Sequence, residues 1–156
     1  MHVDSATCAD SDYWTGLTWP AAPNQDDYRV FEQYCQGRVL LLGSTKLLLP
    51  LATEAWDLHP KYVDPKIKDR DWFLLDHHWD TIIVDGALAF GEEYSKRLLS
   101  VVLPQCDRFI ARAFLNPSWP TKYACYFPRA EEFTPPPQEH PINEVYTFYI
   151  WNNKQS

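Results

Sequence analysis

The chain has 156 residues, enough for about one domain with a sizeable core. Its 14 Lys and Arg against 21 Asp and Glu leave a formal net charge of −7, which repels a nucleic-acid backbone and argues against polyanionic partners. Aromatic residues are 15% of the chain, including 7 Trp and 9 Tyr, more than a core of this size needs, so some are expected to line a ligand pocket.

In chain order, a polar segment up to Tyr13 gives way to a Trp- and Pro-rich stretch ending at Pro23, read as an N-terminal arm or lid over residues 1–23. Asn24 is placed to cap a helix over residues 26–36, with acids in its first turn and Gly37 as its stop. Tyr28, Phe31 and Tyr34 then share a face. Residues 39–42 are a continuous apolar run, the mark of a central parallel strand covered on both faces, and residues 46–55 are the expected crossover helix.

A second such strand at residues 81–84 ends on Asp85 and Gly86. A helix over residues 90–103 carries Tyr94, Leu98, Val101 and Val102 on one stripe and stops at Pro104, and residues 107–114 form the next strand. Beyond Asn116 the pattern changes to two aromatic strands, around residues 122–127 and 144–151, joined by a proline-rich loop or lid at 128–141. The alternation predicts an α/β fold: a Rossmann-like, doubly wound, mostly parallel sheet with an antiparallel C-terminal edge, in a near-minimal three-layer sandwich. No repeat or second domain is apparent, so residues 1–156 are read as one domain. Tyr123, Tyr126, Tyr146, Phe148, Tyr149 and Trp151 on the edge strands would gain from a covering subunit, which predicts a homo-oligomer, a dimer being the simplest.

Cys8, Cys35, Cys106 and Cys125 form no CxxC pair, and neither a signal peptide nor a bilayer-length apolar run is present. Reduced thiols in a cytoplasmic protein away from membranes are therefore expected.

Ligands of an open α/β sheet lie at the carboxyl ends of its strands, where this chain places Gly43-Ser44-Thr45, Asp57, Asp71-Trp72 and Asp85-Gly86. An acid after the second strand can grip both ribose hydroxyls, one after the third can accept from an adenine amine, and a neighbouring ring can stack on the base. Each residue also has a plainer role: Asp57 and Asp85 as strand-end caps, Trp72 as core filling, Tyr13 and Trp14 as staples for the arm. The run from Asp76 to Asp80 holds His77 and His78. In an extended chain adjacent histidines point to opposite sides, so a metal site would need help from His59 or His140. A solvated connection is expected instead, with no metal, although a histidine there is also a candidate general base.

These features resemble the class I S-adenosylmethionine-dependent methyltransferases. The resemblance runs from Tyr13 to Leu115 through Tyr13-Trp14, "RVLLLGST" from Arg38, "DLHPKYV" from Asp57, "RDWFLLD" from Arg70, "WDTIIVDGALAF" from Trp79, and the following "EEYSKRLLSVVLPQCDRFIARAFL". It implies S-adenosylmethionine as cofactor and methyl transfer to a small molecule. The cofactor would be held by Gly43, Ser44, Thr45, Asp57 and Leu58, by Asp71 and Trp72, and by Asp85 and Gly86, with Trp14 closing over it. Asp85 is the first candidate for a catalytic base, with Tyr13 and His78 behind it. The histidines reach the site only if the connection before residue 81 folds back.

The chain departs from the family pattern in three places. Only Gly43 remains of the usual glycine-rich turn, with Ser44 and Thr45 supplying hydroxyls instead. The glycine pair expected near Gln105 and Cys106 is absent, and the segment after Leu115 is short. An enzyme that cleaves or cyclises S-adenosylmethionine, or a non-catalytic binding or partner domain, are the alternatives this leaves open.

Overall fold

The computed structural model describes residues 17–58, 60, 63–116 and 125–153. Helix α1 (Gln25–Tyr34) begins where its cap residue dictates: the Asn24 side chain accepts from the Asp27 amide and the Asp27 carboxylate accepts from the Asn24 amide, a reciprocal capping box. Phe31 points fully into the core from this helix. The chain then enters β1 (Val39–Leu42), buried at all four positions.

The crossover helix expected over residues 46–55 does not form. A short 3₁₀ turn, Lys46–Leu51, contains Pro50, which lacks the amide that an α-helix would need there. The Thr53 amide donates to the Val39 carbonyl at 2.8 Å, drawing the chain straight back alongside β1 as β2 (Glu54–Asp57). After β3 (Ile67–Asp69) and a 3₁₀ turn at Trp72–Leu74, the chain crosses the sheet to β4 (Trp79–Asp85). Helix α2 (Glu92–Val102) and β5 (Cys106–Phe114) follow, both close to expectation.

The C-terminal edge is antiparallel, but its outer strand is β6 (Gln138–Pro141) instead of residues 122–127. Residues 122–124 lie outside those described, and residues 125–127 are not in a strand. A polar strand ending in proline survives because it pairs on one side only, with β7 (Tyr146–Asn152). The sheet order is β3-β2-β1-β4-β5-β7-β6. β1 to β5 run parallel and β7 opposes β5, so the order reverses between β1 and β4.

One face packs Leu40, Leu42, Ile82, Val84 and Phe109 against Tyr94, Leu98 and Val102 of α2. The other packs Leu41, Ile83, Ile110 and Phe148 against Phe31 of α1 and Leu48 of the 3₁₀ turn. This is the expected three-layer sandwich. The aromatics of β7 do not wait for another subunit: Tyr146, Phe148, Tyr149 and Trp151 are all buried by the chain itself. Part of that cover is the proline-rich segment, which lies down as a strap. Phe133 meets Tyr149 and Trp151 edge-on, the Tyr149 hydroxyl donates to the Pro128 carbonyl, and the Trp151 indole donates to the Pro135 carbonyl, both at 2.8 Å. Among the described residues no helix is long and apolar enough to cross a membrane.

Candidate functional site

The strand order reverses between β1 and β4, and sheets of this kind receive their ligands in the crevice at the carboxyl ends of the strands at that point. At the end of β1, Gly43 has φ +113°, a backbone conformation that side chains disfavour, and its amide donates to the Trp56 carbonyl at 2.7 Å. Asp57 is the last residue of β2, and the Ser44 hydroxyl donates to its carboxylate across the two strand ends. Thr45 leads into the 3₁₀ turn, its carbonyl accepting from the Leu48 amide, and half-buried Leu58 follows Asp57.

The turn after β3 supplies the opposite wall. Asp71 caps it, accepting from the Phe73 amide at 3.0 Å. The Trp72 indole donates to the Trp56 carbonyl at 2.7 Å, which fixes the ring plane beside the glycine turn; a Cβ on Gly43 would lie 3.7 Å from that ring. Phe73 meets Tyr94 of α2 edge-on, and Phe90 meets Tyr94 from the other side, so an aromatic wall continues from the turn to α2. Gly43, Ser44, Thr45, Asp57, Leu58, Asp71 and Trp72 are thus brought to one end of the sheet by β1, β2 and β3.

Asp85 ends β4 at the same edge, but its carboxylate is already engaged. Arg112 of β5 donates from Nε to Oδ1 at 2.5 Å and from a terminal nitrogen to Oδ2 at 3.1 Å. The same guanidinium donates to the carbonyls of Pro20 and Ala21 at 2.7 and 2.9 Å and stands 3.7 Å from Asp27. Tyr146 donates to Asp27 and accepts from the Trp19 indole. Burial pushes the Asp85 carboxyl above its ordinary range and Arg112 pulls it back. Burial also works against the charge on Arg112, but Asp85 and Asp27 outweigh it and hold the guanidinium protonated.

Asp85, the first candidate for a base, serves here as an anchor: it holds Arg112, and Arg112 ties the segment before α1 across the ends of β4 and β5. Gly86 joins the anchor through its amide, which donates to the Arg112 carbonyl at 3.0 Å. Arg112, Asp27, Tyr146 and Trp19 were not singled out as site residues by the sequence. The available signal was the arginine inside the apolar run "FIARAF", since a buried charge demands a partner.

His78 is also displaced from the expected role. It precedes β4, whose seven residues separate it from Asp85 by about 20 Å, and its Nε2 lies 3.2 Å from Asp107 at the start of β5. The connection does not fold back to the crevice, because Trp79 is already paired with Cys106 at the amino ends of the strands. Tyr13 and Trp14 lie outside the described residues.

The doubly wound sheet with an antiparallel β7 inserted beside β5 defines a class: the fold is that of the class I S-adenosylmethionine-dependent methyltransferases. Magnesium protoporphyrin IX methyltransferase (ChlM) from Synechocystis PCC 6803, solved with bound S-adenosylmethionine, is similar over 96% of this chain and 97% of its own, with TM-score 0.59 and 14% identity. CalO1, a methyltransferase of calicheamicin biosynthesis solved with S-adenosylhomocysteine, is similar over 93% of this chain and 53% of its own, with TM-score 0.56 and 14% identity. The N-terminal domain of EvdMO1, also holding S-adenosylhomocysteine, covers 90% of this chain and 83% of its own at TM-score 0.52 and 13% identity. No family model matches the sequence, and no curated protein matches it.

Proposed function

We propose that the chain binds S-adenosylmethionine in the crevice between β1 and β4 and transfers its methyl group to a small molecule. The observation that carries this reading is the pairing of Asp57, at the end of β2, with the Gly43-Ser44 turn at the end of β1. A carboxylate there accepts the two hydroxyls of a ribose, and Ser44, which now donates to it, gives way or turns to the ligand. The bare Cα of Gly43 allows the close backbone approach that a cofactor tail requires. Trp72, its plane fixed by the bond to the Trp56 carbonyl, offers a face for stacking, and Asp71 stands beside it as an acceptor for an exocyclic amine.

The bound cofactor would supply an electrophilic methyl on a sulfonium, so the protein's task is to hold donor and acceptor in line and exclude water. With both Asp85 oxygens on Arg112, any proton is taken by another group, or the acceptor atom arrives already ionised. The net charge of −7 favours a small acceptor over a nucleic acid. The test is incubation with S-adenosylmethionine and candidate small acceptors, followed by mass analysis. S-adenosylhomocysteine with a product heavier by one methyl supports transfer. Methylthioadenosine marks a cleaving enzyme instead, and binding without turnover across the acceptors marks a binding domain.

A further inference from the structure

We propose that His78, Asp80 and Asp107 form a binding site for a divalent transition ion of the zinc type at the amino-terminal rim of β4 and β5. One donor atom from each residue lies within 4.8 Å of the other two. The His78 Nε2 and Asp107 Oδ1 atoms are 3.2 Å apart. Metal–ligand bonds of about 2.1 Å put neighbouring donors about 3.0 Å apart in octahedral and about 3.4 Å apart in tetrahedral coordination, so this pair already has ligand spacing. The third donor closes the set by turning one carboxylate inward.

The position of Asp80 is built into the backbone. The Arg38 amide donates to its Oδ2 at 2.6 Å, and Gly37, at φ +63°, leaves the space in which the carboxylate lies, since a Cβ there would run into it. Hydrogen bonding of this kind orients ligating carboxylates. The two aspartates converge although the neighbouring guanidinium groups are committed elsewhere: Arg38 lies over the Trp79 ring at 4.4 Å, and Arg108 donates to Asn152 and the Tyr34 carbonyl. A cation between the carboxylates removes their repulsion, and one imidazole with two carboxylates suits zinc, cobalt or manganese, with water completing the shell on the exposed side. Bound there, it ties the start of β4 to the start of β5, far from the crevice and independently of any methyl transfer.

The test uses the full chain freed of metal, titrated near neutral pH with Co²⁺ by visible d–d absorption and with Zn²⁺ by calorimetry, then repeated for His78→Ala and Asp107→Asn. His78 is exposed and Asp107 half-buried, and circular dichroism checks that the variants fold. The expected result is one equivalent per chain, without sulfur-to-cobalt charge-transfer bands, and an affinity at least about tenfold lower in each variant. Absence of saturable uptake at millimolar Co²⁺, thiolate bands that place the ion on cysteine, or uptake unchanged in both variants would overturn the proposal.

Discussion

Arg112 is fully buried and shared between two carboxylates and two backbone carbonyls, so its loss strands Asp85 and Asp27 in a dry site. Breaking a buried pair on one side costs about 3–5 kcal/mol, and Arg112→Met is expected to lower stability by that order in chemical denaturation. Asp85→Asn removes one partner of the same buried pair and should lower stability in the same direction. Two thiols shielded from water make a second residue-level prediction. Burial, opposed by Arg108, pushes Cys35 up to about 12, and burial reinforced by Asp107 pushes Cys106 up to about 12, both from an ordinary value of 9.0. Between pH 9 and 12 the unfolded chain gives up these protons while the folded chain keeps them, so stability present below pH 9 falls as pH rises through that window. Denaturant midpoints measured across it should decline. Asp57 and Asp71 were legible as site candidates because each sits where an apolar or extended run stops. The engagement of Asp85 was not, since its partner is 27 residues away and only folding brings β4 and β5 together.

At the scale of elements, β1 and the centre of β4 could be read directly because a strand buried on both faces presents a continuous apolar run, and β5 was legible from its apolar stretch although Arg112 interrupts it. The span 46–55 misleads for a physical reason: it is apolar enough for a crossover helix, yet Pro50 and the pull of Thr53 toward Val39 leave room only for the short 3₁₀ segment Lys46–Leu51. β6 is hidden because an edge strand with one partner needs no apolar alternation, and "QEHP" offers none. The proline strap was read as a loop or lid, but its contacts are those of a core element. Phe133, 4% exposed and wedged between Tyr149 and Trp151, should cost about 3–5 kcal/mol when replaced by alanine, measured by urea unfolding. Because β4 and β5 separate β7 from β1 and its glycine turn, affinity for S-adenosylhomocysteine should stay within a few-fold in the folded variant.

For the whole molecule, the reversal of strand order between β1 and β4 marks where such a sheet receives a ligand, and the proposed function rests on the acids and the Trp72 ring gathered at that edge. In the proposed binding mode, one glycine in place of a glycine-rich turn would leave the cofactor tail to the hydroxyls of Ser44 and Thr45 and the ribose to Asp57, which accepts from Ser44 across the two strand ends. The opposite rim of the same strands carries His78, Asp80 and Asp107, so the two ends of the sheet present different chemistry. The most direct test of the crevice is calorimetric titration of the wild-type chain and Asp57→Ala with S-adenosylhomocysteine. Saturable binding of one ligand per chain, weakened by about 1.5–3 kcal/mol in Asp57→Ala, is the predicted result, the scale of a charge-assisted hydrogen bond. No binding to the wild-type chain at millimolar ligand, or equal binding by both proteins, would contradict it.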